Sequence, residues 1–321
     1  MKRAERDAPW KEFLEHFLPA VLAICFPDIA RQIDWNASFK FLDKELQEII
    51  RGSRRGRLFV DKLVEVVLIG GSPLKIYLHI EVQHTRDGQL ELRVFRYHYR
   101  LAEKYGPNVV TLVILADQDG NWRPCKYEHE LLNCWVLFEF PTCKLKDLAA
   151  DLEKLLSHPI PAALVIASDW ISQTQKNPDK QLEWKMKVME RLYEKGLKKE
   201  EVLGIFKLAD WLLPLEKPQR EVFRERMIEM ELKKNMPYVN TIQEMSLKEG
   251  RREGRREGRD EGRVEAMRLA IKEALEGRFE VHDKAVNAAL EGISQFEELN
   301  KVFKLAVTVK DFSEFKRKFL P

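Results

Sequence analysis

The pattern of apolar and polar positions changes character just beyond the middle of the chain. Residues 10–26 and 38–51 carry apolar side chains at helical spacing, whereas 58–69 is rich in β-branched residues, which favour strands. Residues 74–83 alternate apolar and polar side chains after a Gly-Gly-Ser-Pro turn, and they predict a second strand hairpinned to the first. From 181 to 233 only helical patterns recur.

Between the hairpin and the helical half, the pattern continues to mix helices and strands. A helix over 89–105 is ended by Gly106-Pro107, and the continuous apolar run 109–115 is typical of a buried strand. A strand and two helices are predicted next, at 134–140, 145–157 and 160–168. The fold class is therefore α/β, with a mixed sheet flanked by helices, followed by an all-helical C-terminal half.

The composition of the chain suggests where these parts divide. At roughly 100–200 residues per domain, 321 residues suggest two domains and a smaller third. The polar stretch 169–180 predicts a linker. We therefore expect an α/β domain, a helical region, a charged glycine-spaced repeat and a small helical module, at 1–170, 171–247, 248–263 and 264–321.

Charge and cysteine usage exclude several classes of protein. The 55 Lys and Arg against 52 Asp and Glu give a net charge of +3, which excludes a polycation and an acidic disordered chain. A nucleic-acid surface must then be a local patch. The four cysteines form no metal-binding spacing and suit a reducing compartment. With no signal peptide or apolar span of about 20 residues, we expect a cytoplasmic protein without membrane contact.

Two polar residues share one face of the second predicted strand. Glu81 and Gln83 are two residues apart, which places their side chains about 6–7 Å apart along the strand. Asp61 begins the first strand of the same hairpin, and Asp is rare in strands. Two carboxylates, with waters and a phosphate oxygen, suit Mg²⁺. The alternatives are a polar strand face turned to water and, for Asp61, a turn residue at the strand start.

The helix predicted over 38–51 offers a third acid. Asp43 and Glu45 both flank its apolar face, and Glu48 lies further round the helix. The helical wheel does not choose between Asp43 and Glu45.

Several stretches of the chain, taken in sequence order, resemble a known family. An acid on a helix, an Asp beginning one strand and an E-x-K-like tripeptide on the next resemble the core of PD-(D/E)XK nucleases. More closely, residues 35–170 resemble the Rpn-type recombination-promoting nuclease and transposase family. The matching stretches are FLDKEL at 41–46, VDKLVEV at 60–66, LHIEVQ at 78–83, RVFRYHYRLAEKYG at 93–106, VVTLVILAD at 109–117, WRP at 122–124 and HPIPAALVIA at 158–167.

The resemblance implies a restriction-endonuclease-like core and a metal-dependent DNA endonuclease linked to recombination or transposition. It assigns Glu45, Asp61 and Glu81 as ligands of Mg²⁺, with Mn²⁺ as a substitute, and so favours Glu45 over Asp43. Gln83 stands where the wider superfamily has Lys. Gln can orient the attacking water but is neutral, so the positive charge must come from the metal or from a nearby Arg.

Two basic segments are candidates for contact with the DNA backbone. The helix after the E-x-Q strand repeats basic residues on one face, and the loop before the Asp61 strand is arginine-rich. The candidates are Arg93, Arg96, Arg100 and Lys104 on the helix and Arg54, Arg55 and Arg57 in the loop. Phosphate contact needs such a patch, although an ordinary solvated face has the same pattern. No base-recognition motif is present, so we expect little sequence preference.

Two histidines lie close to the predicted site. His79 shares the strand face of Glu81, and His84 follows Gln83 directly. Each is a candidate site residue, and each also fits an ordinary core or surface histidine.

The charged repeat before the last module places a glycine at every fourth residue. Gly250, Gly254, Gly258 and Gly262 would form a stripe on a helix that is marginal by itself but allows a second helix to approach closely. We therefore expect a homo-oligomer formed through the C-terminal helical region. The alternative for the repeat is a flexible linker.

Two other classes of function compete with the nuclease. The chain could be a catalytically weak or inactive protein that keeps the fold and binds DNA or other proteins. It could also be a helical oligomerisation scaffold in which the nuclease core is secondary.

Overall fold

A computed structural model describes residues 3–51, 60–70, 74–234, 262–279, 281, 283–293 and 295–319. The chain divides into two compact units, Met1–Met236 and Pro237–Pro321. No helix within the described ranges is long and apolar enough to cross a membrane.

The first unit combines ten helices and seven strands in the part of it that is described. The helices are α1 (Arg3–Cys25), α2 (Pro27–Ala30), α3 (Asp43–Arg51), α4 (Leu90–Tyr105), α5 (Leu145–Leu148), α6 (Leu152–Leu156), α7 (Ala163–Thr174), α8 (Pro178–Glu194), α9 (Lys199–Leu212) and α10 (Lys217–Lys234). The strands are β1 (Lys40–Phe41), β2 (Val60–Leu68), β3 (Leu74–Gln83), β4 (Val109–Leu115), β5 (Lys126–Leu131), β6 (Cys134–Glu139) and β7 (Thr142–Lys144).

Five of these strands form one mixed sheet in the order β1-β2-β3-β4-β7. The β1–β2 and β2–β3 pairs are antiparallel, whereas β3–β4 and β4–β7 are parallel. A parallel pair needs a crossover connection, and α4 supplies it between β3 and β4. The predicted α/β class with a mixed sheet and a helical C-terminal half is therefore confirmed.

The polar face of β3 does not lie in water. His79, Glu81 and Gln83 are all buried, because α4 covers this face of the sheet. The Tyr105 ring stacks on Tyr77 at 4.2 Å, and the Tyr97 ring meets His79 edge-on at 5.9 Å between centroids. The end of β3 is thus buried on both faces, as in strands flanked by helices on both sides.

Several element boundaries differ from the sequence prediction. The helix predicted over 38–51 begins at Asp43, because Lys40 and Phe41 form β1 beside β2. The helix predicted over 145–157 is two short helices, α5 and α6. The strands β5 and β7 were not predicted.

The predicted linker at 169–180 is mostly helical. Helix α7 continues to Thr174, and α8 begins at Pro178, where a proline fits the first helical position. The side chain of Asn177 caps α8 by accepting a hydrogen bond from the Lys180 amide at 3.0 Å. The predicted division at 170 therefore falls inside a helix and inside one compact unit.

Helix α1 joins the sheet domain to the helices after residue 170. Trp10 donates a hydrogen bond from Nε1 to Asp169 of α7 at 3.0 Å, and Lys207 of α9 pairs with Glu12 at 2.7 Å. Because α8 packs on α7 and α10 packs on α8 as well, the first unit extends to Met236.

The second unit is helical in its described part. It contains α11 (262–279), α12 (Lys284–Glu291), α13 (Phe296–Thr308) and α14 (Phe312–Phe319). Their shared core consists of Ile271, Leu275, Val286, Leu290, Leu299, Ala306, Val309 and Phe315. The glycine-spaced repeat lies outside the described residues, apart from Gly262 and Arg263 at the start of α11.

Candidate functional site

The candidate site lies where the β2–β3 hairpin reaches the end of β3. Glu81 and Gln83 are fully buried there. The register of the antiparallel pair places the Cα of Asp61 directly opposite that of Glu81. The side chain of Asp61 is outside the described part of the chain. The backbone thus brings together two of the acids that the sequence predicted.

Arg93, in the first turns of α4, contacts both polar residues of β3. Its Nη2 donates to Glu81 Oε1 and, at 3.1 Å, to Gln83 Oε1. Its Nη1 donates to Asp87 Oδ2. Burial, the largest influence, acts to lower the pKa of Arg93, but the pairing with Glu81 and Asp87 outweighs it and raises that pKa. Arg93 is therefore a permanent cation inside the site.

Gln83 is held in one orientation by two hydrogen bonds. Its Oε1 accepts from Arg93, and its Nε2 donates to the carbonyl oxygen of Thr85 at 2.7 Å. The amide oxygen of Gln83 and one carboxylate oxygen of Glu81 therefore both accept hydrogen bonds from the same guanidinium.

Asp87 belongs to this cluster but was not predicted from the sequence. Its Oδ1 accepts a hydrogen bond from the Gln89 amide at 2.9 Å, just before α4 begins, while its Oδ2 binds Arg93. An Asp-Gly pair before a helix is a recognisable turn signal. That signal indicates a turn but not the ion pair.

His79 lies on the same strand face, two residues before Glu81. It is completely buried, and neither ring nitrogen has a hydrogen-bond partner among the described residues. Burial, with smaller effects from His98 and Arg93, lowers the pKa of His79 to about 3. The imidazole is consequently neutral beside the charged pair.

His84 lies in a different environment from the candidate site. Its ring meets Trp10 of α1 edge-on at 6.0 Å, and its Nε2 lies 3.7 Å from Asp169 Oδ2 of α7. His84 therefore belongs to the contact between α1 and α7, although it directly follows Gln83.

The two candidate acids of α3 differ in their contacts. Asp43 forms an ion pair with Lys62 of β2, which also pairs with Glu15. Glu45 is partly buried. Within the described residues, no group of three His, Cys, Asp or Glu side chains is arranged to hold a metal ion. The predicted set of Glu45, Asp61 and Glu81 is not tested by this finding, because it includes Asp61.

The four basic residues predicted on α4 do not share one exposed face. Arg93 points into the site, whereas Arg96 and Lys104 are exposed and Arg100 is half-buried. The predicted loop residues Arg54, Arg55 and Arg57 lie outside the described part of the chain. Of these four residues, only Arg96 and Lys104 are therefore exposed basic groups.

The donor atoms at the site suit a hard divalent cation. The carboxylate oxygens of Glu81 and the amide oxygen of Gln83 are of the ligand types that Mg²⁺ and Mn²⁺ accept. Arg93 already binds one oxygen of Glu81 and the oxygen of Gln83. A metal ion held by Glu81 would therefore share this carboxylate with the guanidinium of Arg93.

Comparisons with family models, with curated proteins and with solved structures found no match for this chain.

Proposed function

We propose that this chain is a metal-dependent DNA endonuclease, which hydrolyses phosphodiester bonds with little sequence preference. The observation that carries the proposal is the pairing of Asp61 with Glu81 across the hairpin, with Gln83 two residues further and Arg93 bound to both β3 side chains. A buried carboxylate with this surrounding is unusual in a structural strand and common at catalytic sites.

The order of elements supports the same proposal. Helix α3, the hairpin β2–β3, the crossover helix α4 and the parallel strand β4 follow one another in the order expected for a restriction-endonuclease-like core. This order is also the one in which the stretches resembling Rpn-type nucleases occur. We therefore propose the PD-(D/E)XK assignment for the first unit.

Each residue of the site has a role in this proposal. Asp61 and Glu81, with Glu45 of α3, would hold Mg²⁺ or Mn²⁺. A bound divalent cation supplies Lewis acidity at the scissile phosphate and lowers the pKa of a coordinated water. Gln83 orients the attacking water by hydrogen bonds.

The wider superfamily has a Lys at the position of Gln83, and in this proposal Arg93 supplies the positive charge of that Lys. Its guanidinium lies 3.1 Å from the Gln83 oxygen, next to the position where negative charge develops in the proposed reaction. The exposed Arg96 and Lys104 of α4 would contact DNA phosphates and position the duplex.

Nicking of supercoiled plasmid tests the proposal. We expect wild-type protein to nick in Mg²⁺ or Mn²⁺ and to stop when the metal is chelated. Glu81→Gln and Asp61→Asn should each lower the rate at least about a hundredfold. Titration calorimetry with Mn²⁺ should show weaker metal binding in both variants. This measurement distinguishes a loss of metal binding from a loss of DNA binding.

Glu65→Gln is the matched control variant. Glu65 is an acid on the same strand as Asp61, but it is paired with Lys75 at 2.8 Å towards the other end of the hairpin. It should nick like wild type. Equal nicking by wild type, Glu81→Gln and Asp61→Asn, or no nicking by any of them, contradicts the proposal.

One observation favours a second candidate, a catalytically inactive protein that binds DNA through the same fold. Arg93 already neutralises Glu81, and Gln83 brings no charge of its own. This candidate predicts that wild type and all three variants bind DNA with the same dependence on salt and that none of them nicks it.

A further inference from the structure

The hairpin of β5 and β6 forms a two-stranded sheet separate from the five-stranded one. Its two loop residues, Leu132 and Asn133, both have positive φ, 49° and 62°, as a type I′ turn requires. The base of the hairpin packs on α4. Tyr127 stacks on Phe95 at 4.8 Å, and Phe138 lies 4.4 Å from His98 between ring centroids.

Beyond its base, the hairpin exposes large apolar side chains. Leu132 is 91% exposed, Trp135 67% and Leu131 62%. Two strands alone are marginally stable in water, and clustered exposed apolar groups mark interaction sites. Asn adopts a left-handed conformation easily, but Leu does so only at a cost in conformational energy. The tip therefore carries an apolar side chain at a position where Leu strains the backbone.

Charge is divided unequally between the two strands. The outer strand β5 carries Lys126, Glu128 and Glu130, whereas residues 134–138 of β6 carry no charge. Among the described residues, β6 pairs with β5 alone, so its other edge offers free backbone donors and acceptors. An uncharged edge gives a charged ligand such as DNA nothing to bind, but it matches another apolar strand.

We propose that a second copy of this chain pairs antiparallel along β6, about a two-fold axis that passes through Val136. Side chains that lie opposite each other in antiparallel strands point to the same face of the sheet. In two identical strands, an odd-numbered residue must therefore pair with an odd-numbered one, and an even-numbered residue with an even-numbered one. With the axis at Val136, Trp135 of each copy lies opposite Leu137 of the other, and Cys134 lies opposite Phe138. The resulting order is β5-β6-β6-β5.

This arrangement accounts for two features of the hairpin, its isolation as a two-stranded sheet and the unequal charge of its strands. It converts a two-stranded sheet into a four-stranded one and places the charged β5 strands at the outer edges, where charges protect natural sheets from further pairing. The contact is isologous and therefore closes as a dimer. It is independent of the proposed nuclease site, since it uses none of that site's residues.

Disulfide cross-linking of the full chain tests the register. In a Cys125→Ser, Cys134→Ser background, Val136→Cys places two thiols at the axis, where Cα atoms are about 4.5–5.5 Å apart and within disulfide reach. A mild oxidant should therefore convert most of this variant to a covalent dimer on a non-reducing gel.

His129→Cys in the same background is the matched control. His129 lies directly opposite Val136 within the hairpin and is also exposed. In the proposed dimer the two copies of residue 129 are three strand spacings, about 14 Å, apart, which is too far for a disulfide. Cross-linking should be at least about tenfold slower than for Val136→Cys.

A second control fixes the register. With Cys125→Ser alone, the two copies of Cys134 are offset by four residues, about 13 Å, along the paired strands, so they should not cross-link. If Val136→Cys forms no covalent dimer, or if either control cross-links as fast as Val136→Cys, the proposal is overturned. Since all of these positions are exposed, the substitutions leave the core intact.

Discussion

Arg93 determines the charge balance of the candidate site. Glu81 is fully buried, and a buried carboxylate is costly unless a cation or several hydrogen bonds compensate it. The guanidinium supplies that compensation, with Asp87 at its other end. Breaking such a pair costs far more than the pair contributes relative to an apolar replacement, because the remaining charge stays buried.

This imbalance gives a stability prediction. Arg93→Met and Glu81→Gln should each lower the free energy of unfolding of the first unit by about 3–5 kcal/mol. The double variant should lose at least about 1 kcal/mol less than the sum, since the two residues act together. All seven tryptophans lie before residue 236, so urea unfolding followed by tryptophan fluorescence reports this unit.

Arg96→Met is the control for that cycle. Arg96 lies one turn further along α4 and is exposed, so its replacement should change the free energy of unfolding by no more than about 0.5 kcal/mol. Strict additivity of Arg93→Met and Glu81→Gln would contradict the assigned ion pair.

His79 makes the first unit sensitive to acid. Its pKa is lowered from 6.5 to about 3 in the folded chain, chiefly by burial. Below about pH 6.5 the unfolded chain binds a proton that the folded chain does not bind, so stability falls as the pH is lowered towards 3, by up to about 1.4 kcal/mol per pH unit. The contribution is fully present above pH 6.5.

Urea unfolding at pH 7 and pH 5, in the presence of a chelator, measures this effect. Between these values wild type should lose about 2 kcal/mol more than His79→Leu, in which nothing titrates at this position. His129→Gln, on the exposed hairpin, should keep the wild-type pH dependence. An equal loss in wild type and His79→Leu would show that His79 is not the titrating group.

The sequence predicted the acids of the site better than their partners. The alternation in 74–83 placed Glu81 and Gln83 on one face, because the period of a strand follows from its local pattern. The predicted hairpin put Asp61 and Glu81 on neighbouring strands, and the structure adds that their Cα atoms lie directly opposite each other. Arg93, the basic residue of α4 nearest the strand, was expected to point into the site, but its hydrogen bonds to Glu81, Gln83 and Asp87 could not be predicted, since they depend on how α4 packs over β3. The same packing buries a strand face that would otherwise be solvated.

At the scale of elements, predictions succeeded where local patterns were strong. Strands β3 and β4 have the predicted bounds, because alternating or continuous apolar runs define them. Strand β5 is mostly polar and exposed, and β7 has only three residues, so neither carries a signal. The prediction ended α7 too early, at Ser168, because Ser168 and Asp169 are polar, although the structure buries both.

Asp169 connects α7 to α1 and provides a prediction for α7. Its Oδ2 accepts hydrogen bonds from Trp10 Nε1 at 3.0 Å and from Gln173 Nε2 at 3.2 Å. Asp169→Ala leaves the buried indole without this acceptor and should lower the free energy of unfolding by about 2–4 kcal/mol. Tryptophan fluorescence during urea unfolding measures it.

Thr174→Ala tests whether that loss is specific. Thr174 ends the same helix and is exposed, so its change should stay within about 0.5 kcal/mol. A similar loss in both variants would mean that α7 is destabilised generally, without a special contribution from the contact with α1.

At the scale of the molecule, the near-zero net charge conceals local separation. The sum of +3 combines the buried carboxylate of Glu81 and its partly buried partner Arg93 with exposed basic groups on α4. Composition could exclude a polycation, but it could not indicate which charges lie inside. That distinction depends on burial, which only the packed units determine.

The extent of the first unit gives the last prediction. Residues 163–169 of α7 are buried without interruption, so this helix is covered on every side. Helix α9 provides part of that cover and also packs on α1, where Gly204 leaves only 3.4 Å between an added Cβ and the Phe17 ring. A chain cut at the predicted division would expose this apolar helix to water.

A fragment of residues 1–236 should therefore fold, whereas 1–174 should not. Each large apolar side chain uncovered by the shorter cut costs about 1.5–3 kcal/mol, and several such losses exceed the 5–15 kcal/mol that stabilise a typical domain. We expect 1–236 to unfold in urea at the same midpoint as the full chain by tryptophan fluorescence, and 1–174 to lack a cooperative transition. A cooperative transition in 1–174 would show that the sheet domain is stable without α8 and α9, and it would support the division predicted at residue 170.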